Sequence, residues 1–202
     1  YTIDKRIDAQ TTLRVRLKNE TSQMRLDLLE LPVSSVSVNG QSAAFNYNSP
    51  NLVIDLDNVK SGDTLQVVVS YEGKPLQDPQ WGGFYFSGKY AFNLGVGFAS
   101  DPHNFGRVWF PCFDNFTDRA TYDFLIRVDS SYKAYANGLL QKITKNSDQT
   151  ETFYWQMDDP IPTYLAAVAI APYEEIRMSV DGIPVILTAL ASDTANLRKS
   201  FE

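Results

Sequence analysis

Ala120-Thr121-Tyr122-Asp123-Phe124-Leu125-Ile126-Arg127-Val128 is the stretch that decides the fold. Ala120, Tyr122, Phe124, Ile126 and Val128 recur every second residue, the period of a strand with one buried face. The same period runs upstream. Leu13, Val15 and Leu17 alternate with Arg14, Arg16 and Lys18, and Met24, Leu26 and Leu28 with Arg25 and Asp27. Val36 and Val38 continue it up to Asn39-Gly40, a tight-turn pair. Leu52 to Leu56 and Leu65 to Tyr71 read as strands around the turn Lys60-Ser61-Gly62-Asp63. Downstream, strands are predicted over Tyr132 to Ala136, Thr150 to Met157, Tyr173 to Val180 and Ile183 to Leu190. Tyr164 to Ala171 is apolar on all sides and fits a buried strand or a short helix, the flanking Pro162 and Pro172 favouring the strand. The one helix signal is terminal, where Ser192 or Asp193 is placed to cap Thr194 to Glu202. The fold class is therefore all-β, with Gly73 to Gly83 as the joint between two sub-sheets of one domain.

Composition bounds the function. The 202 residues are 44% hydrophobic and 21% charged, ordinary for a globular chain. Eighteen basic against 24 acidic side chains leave a net charge of −6, which argues against nucleic acid as a partner. No apolar run has the ~20 residues of a membrane-spanning helix. A single cysteine forms no internal disulfide, and a single histidine is too few for a self-sufficient catalytic zinc site. The chain opens at Tyr1, which predicts a piece of a longer protein. A removed signal peptide also fits, and an extracytoplasmic or secreted location is favoured over the cytoplasm.

Several residues invite a chemical reading. Trp81, Phe84, Tyr85, Phe86, Tyr90 and Phe92 are either a stacking platform or a strand pair with core aromatics, and packing is the commoner use of such residues. Cys112 lies between Pro111 and Phe113 with nothing to activate it, and reads as a buried structural thiol. Asp101, Asp114 and Asp118 lack the spacing of a calcium loop and read as turn-capping carboxylates. His103 reads as a solvated or hydrogen-bonded turn histidine. Asn19-Glu20-Thr21 and Asn115-Phe116-Thr117 match the glycosylation sequon near chance frequency.

One segment is more specific. Arg107, Phe110, Pro111, Cys112 and Asp114, followed by Arg119-Ala120-Thr121, resemble the Arg-x-x-Phe-Pro-Cys-x-Asp signature of the N-terminal domain of M1 (gluzincin) zinc aminopeptidases. Val36, Val38, Asn39 and Gly40, then Gly83-Phe84-Tyr85 with Ser87, then Ala136-Asn137-Gly138 and Pro162-Thr163-Tyr164-Leu165-Ala166 resemble further landmarks in the family's order. The resemblance implies a saddle-shaped all-β domain with a large mixed sheet and smaller flanking sheets over residues 1–190. Residues 191–202 would then be a linker and first helix leading to a catalytic domain. That domain would carry Gly-x-Met-Glu-Asn and His-Glu-x-x-His, neither of which occurs in this chain.

The resemblance further implies a non-catalytic role for this chain, with no catalytic residue and no metal ligand of its own. Zn2+ is expected in the parent's catalytic domain. The implied partners are that catalytic domain and a peptide substrate trimmed at its N-terminus. The family's substrate-lining strand, with its Gln-x-Glu stretch for the free amino group, falls on Tyr90 to Phe98. Gly95 and Gly97 then stand at the two polar positions, and Gly95, Val96, Gly97 and Phe98 are the candidate substrate-binding residues. The alternative reading is a stand-alone β-sandwich module binding carbohydrate or protein through the aromatics of Trp81 to Phe92.

Overall fold

The computed structural model describes residues 4–201. Sixteen strands run in chain order: β1 (Ile7–Arg16), β2 (Gln23–Asp27), β3 (Val33–Val38), β4 (Gln41–Ser42), β5 (Phe45–Asn48), β6 (Asn51–Asp55), β7 (Thr64–Gly73), β8 (Gly83–Ser87), β9 (Tyr90–Leu94), β10 (Ala120–Asp129), β11 (Lys133–Ala136), β12 (Leu139–Lys145), β13 (Thr150–Ile161), β14 (Val168–Ala171), β15 (Tyr173–Val180) and β16 (Ile183–Leu190). One helix, α1 (Thr194–Phe201), follows.

The strands form sheets β1-β7-β3-β4, β2-β6-β5, β11-β14-β9-β8 and β10-β13-β12, with β15-β16 as a separate hairpin. The all-β, many-sheet architecture is the expected one. The strand pairs are antiparallel and the larger sheets hold four strands. Asn39 and Gly40 both take positive φ, as a two-residue hairpin turn requires, and join β3 to β4.

The alternation seen in the sequence is the burial pattern. In β10 and its partner β13, Phe124 pairs with Trp155 and Ile126 with Phe153. Leu26, Leu52 and Ile54 from one sheet and Leu65, Val67 and Val69 from another belong to the same apolar core as Phe84, Phe105, Phe124 and Trp155. The joint at Gly73–Gly83 connects β7 to β8 without breaking that core.

Two local readings change. Tyr164 to Ala171 is not one strand: Thr163–Leu165 is a single 3-10 turn, and only Val168–Ala171 pairs. At that turn the Thr163 hydroxyl donates to buried Asp114. The expected caps of α1 are not used as expected. Ser192 donates to Asp193, the chain enters through a 3-10 turn at Ala191–Asp193, and Thr194 donates to Leu190 O and Glu174. The final expected helical residue, Glu202, lies outside the described residues.

Candidate functional site

The predicted site segment leaves the sheet as soon as β9 ends. Gly95 to Phe98 runs on as a loop, closed by an antiparallel bridge between Val96 and Asn104. Phe105 N donates to Gly95 O at 2.7 Å and Gly97 N to His103 O at 2.8 Å. On the other side, Phe98 N donates to Trp81 O at 3.0 Å. Gly95, Val96, Gly97 and Phe98 are thus held between the 78–82 loop and the 101–105 loop.

The two glycines have a steric explanation. A Cβ on Gly95 would lie 1.9 Å from Tyr164 O, and one on Gly97 would lie 2.7 Å from Asp78 Oδ2. The close approach that glycine permits is therefore made by this chain's own atoms. Neither position has room for a glutamine or glutamate side chain.

Asp78 holds the loops together. Its carboxylate accepts from Gln80 N at 2.9 Å, Trp81 N at 3.1 Å, Ala99 N at 3.0 Å and the Ser100 hydroxyl at 2.7 Å. Burial alone would raise its pKa. The hydrogen bonds from Ser100, Ala99, Gln80 and Trp81 outweigh that and hold the carboxyl well below the usual carboxylate range. On this frame Trp81 and Phe98 pack at 4.9 Å between ring centroids while 43% and 59% exposed. Phe116 and Tyr164 make a second pair at 5.5 Å, with Phe116 and Leu165 also exposed. Tyr164 O is the atom that abuts Gly95, so the two pairs flank the Gly95–Phe98 loop.

The signature segment beneath is a buried polar network. Arg107 lies in the 3-10 turn Gly106–Val108 and pairs with Asp114 at 3.0 Å, both side chains almost wholly shielded. Arg107 also donates to the carbonyls of Asn104 and Pro102, Thr163 donates to Asp114 at 2.6 Å, and the Asn104 amide donates to Asp114 O. Cys112 forms a backbone bridge with Asp27. Burial first, then the nearby Asp114 and Asp27 charges, push its thiol up, so it is a structural thiol and not a nucleophile. Asp101 and Asp118 do not join Asp114: Asp101 is exposed and Asp118 half-buried. Among the described residues no three His, Cys, Asp or Glu side chains are placed to hold a metal ion.

The aromatic cluster divides. Phe84 is core, Tyr85 stacks on Phe92 at 5.2 Å, and Tyr90 meets Tyr173 edge-on. Of the six, Trp81 is the one left open enough to serve as a platform, and its partner is Phe98. Sequence reading missed Asp78, since a lone Asp before Pro79 gives no sign of the loops it will bridge.

Comparisons with known proteins agree with this architecture. Residues 2–165 match the family model described as the Peptidase M1 N-terminal domain. The chain is 29% identical over 184 residues to "Leucine aminopeptidase 2" of Yarrowia lipolytica, covering 82% of this chain and 26% of that protein. It is 24% identical over 179 residues to "Probable aminopeptidase 1" of Saccharolobus solfataricus, covering 88% and 22%. It is also 26% identical over 155 residues to "Transcription initiation factor TFIID subunit 2" of Danio rerio, covering 71% and 13%. Among solved structures, the M1 zinc metallopeptidase from Deinococcus radiodurans matches with a TM-score of 0.77 and 26% identity, over 86% of this chain and 39% of that one. This chain thus spans about a quarter or less of those curated relatives. With the family matched over most of its length and the fold reproduced by a solved member, the chain belongs to the peptidase M1 N-terminal domain family.

Proposed function

We propose that this chain is the non-catalytic N-terminal domain of a zinc-dependent M1 aminopeptidase, which removes N-terminal residues from peptides. Its loop end, Gly95 to Phe98 included, lines the substrate cleft and supports the catalytic domain. Residues 191–202 lead toward that domain. The observation that carries the reading is the loop end itself. Four large apolar side chains, Trp81, Phe98, Phe116 and Leu165, stand exposed there on a frame tied by Asp78 and by the Arg107–Asp114 pair. Exposed apolar clusters on fixed loops are a mark of a surface meant to be covered.

In this reading the metal is held by the catalytic domain; among the described residues no three His, Cys, Asp or Glu side chains are grouped to hold one. The test is made on the full-length parent. Stoichiometric zinc and chelator-sensitive release of an aminoacyl reporter are expected, while residues 1–202 alone remain inert toward the same reporter. A parent that binds no zinc, or an isolated chain that hydrolyses the reporter, overturns the reading.

The binding-module alternative keeps one supporting observation, the exposed Trp81–Phe98 pair. It predicts that the isolated chain binds carbohydrate or protein and that Trp81→Ala abolishes that binding. The likeness to a transcription factor subunit makes the parent assay decisive, because chains with this domain are not all named peptidases.

A further inference from the structure

Strand β12 ends the sheet β10-β13-β12. One side of its backbone pairs with β13, and among the described residues no strand pairs with the other. All of its residues are exposed, and the register shows which way they point. Leu140 stands beside Trp155, which stands beside Phe124. Ile143 stands beside Phe153, which stands beside Ile126. Neighbours across a sheet share a face, so Leu140 and Ile143 both lie on the core face. Their odd spacing would put them on opposite faces of a regular strand. The register shift between Leu140 and Lys142 removes that conflict, with Gln141 as the extra residue of a bulge. Phe124, Phe153 and Trp155 are buried, whereas Leu140 and Ile143 are 38% and 46% exposed. The layer covering this face therefore stops one strand short, and an apolar ledge runs beside an open row of backbone groups.

An open edge accepts an added strand: backbone hydrogen bonds give affinity and alternate side chains give choice. Charge selects the strand. Lys142 and Lys145 are the only charged residues of β12, and neither forms an ion pair among the described residues. Lys145 has Glu151 as its cross-strand neighbour and shares the ledge face, while Lys142 stands beside Tyr154 on the other face. The edge is thus positive in a chain of net charge −6. A second copy of the edge fits badly, because a two-fold antiparallel pair centred on the strand brings the two Lys142 ammoniums together. The same lysines attract a strand that carries carboxylates.

We propose that the β12 edge docks an extended segment of another polypeptide, which adds to the sheet as a fourth strand. Its apolar residues cover Leu140 and Ile143, and its carboxylates meet Lys142 and Lys145. This site is independent of the peptidase reading.

The experiment uses the full-length protein and a labelled hexapeptide, acetyl-Glu-Thr-Val-Glu-Val-Thr-amide. Laid antiparallel to β12, it sets its glutamates against Lys145 and Lys142 and its valines against Ile143 and Leu140. Fluorescence anisotropy reads the dissociation constant, and hydrogen exchange by mass spectrometry reads the amides of residues 139–145. Binding is expected to slow exchange across β12. Changing both glutamates of the peptide to lysine is expected to weaken binding about tenfold. Lys142→Glu with Lys145→Glu in the protein is expected to do the same, and the lysine peptide is expected to bind that variant again. Ile143→Thr keeps a good strand former without the ledge, with an expected loss of about fivefold. Methylating the peptide's backbone nitrogens is expected to abolish binding, since a methylated edge donates nothing. These side chains are exposed, so the thermal midpoint is expected to hold in every variant. No binding by the unmodified protein overturns the proposal and makes the lysines a guard on the edge. Binding that leaves exchange at residues 139–145 unchanged, or that survives methylation, overturns the added strand. Binding indifferent to both charge changes overturns the acidic partner. Self-association of the protein with residues 139–145 protected overturns the proposal in favour of a second copy.

Discussion

Gly95 and Gly40 are both glycine for reasons that a substitution separates. Gly40 has a φ of +80° and nothing within 4 Å of an added Cβ, so its cost is purely conformational. Gly95 has an ordinary backbone and an occupied side-chain place, so its cost is purely steric. Gly40→Ala is expected to cost about 1 kcal/mol, the penalty of a left-handed L-residue. Gly95→Ala is expected to cost at least about 3 kcal/mol, because a backbone carbonyl must move. Urea denaturation of the two variants checks the order, and equal losses would mean Tyr164 yields easily. Asp78 gives a pH test at the same scale. Its folded pKa is depressed, so its contribution is fully present above the unfolded value of about 3.9 and is lost as pH falls from there through the folded value. Asp78→Asn is expected to lower the thermal midpoint by a constant amount above about pH 5, a gap that narrows below about pH 4. A gap of equal size at pH 3 and pH 7 would show that the charge is not what ties the loops. The sequence marks 95 and 97 as glycines but not what fills the space beside them. Tyr164 is 69 residues from Gly95, and that separation hides the contact.

Strands were legible where one face is wet and one dry, and illegible where both are wet. Strand β10 shows the first case: its apolar residues pair with Phe153 and Trp155 across one face. Strand β12 shows the second. Each of its residues is exposed, so Leu139–Lys145 carries no burial alternation to read. It forms because its backbone completes the edge of β13. Trp155 is where this sheet meets the next, its indole N–H donating to Ala134 O at 2.9 Å in β11. Two substitutions separate that bond from the packing. Trp155→Phe keeps most of the ring volume and loses the bond, with an expected cost of about 1–2 kcal/mol. Trp155→Ala also opens a cavity and is expected to cost about 3–5 kcal/mol. Chemical denaturation measures both, and a Phe variant as damaging as the Ala variant would make the hydrogen bond, not the volume, the joint between the sheets. Asn93 makes a comparable stitch between β9 and β14. Its amide donates to Ala166 O and its oxygen accepts from Val168 N, so the strand that starts late at Val168 is aligned by a side chain.

The whole molecule turns on the segment that also names its family. Arg107 to Asp114 joins regions far apart in sequence. Asp27 bridges Cys112, Leu29 N donates to Arg107 O, Tyr71 donates to Trp109 O, and Thr163 donates to Asp114. A signature motif of this kind marks a folding junction, with the ion pair at its centre. That explains why the family was legible in the sequence while the loop end it supports was not: the junction is contiguous, whereas the surface is assembled from residues 81, 98, 116 and 165. The junction makes a prediction about cooperativity. Removing one member of a buried pair leaves an uncompensated charge, so Arg107→Met and Asp114→Asn are each expected to cost about 3–5 kcal/mol. The double variant is expected to lose much less than the sum, because neither charge is then stranded. Strictly additive losses would mean that the backbone carbonyls of Asn104 and Pro102, not Asp114, are the partners that hold Arg107 in place. The denaturant slope adds a second reading of the same cycle. If the junction unites the sheets into one cooperative unit, the single variants unfold in one transition at lower denaturant. A split into two transitions would instead place the β10-β13-β12 sheet in an independently melting unit, with the Arg107–Asp114 pair as the tie that normally makes it unfold with the rest.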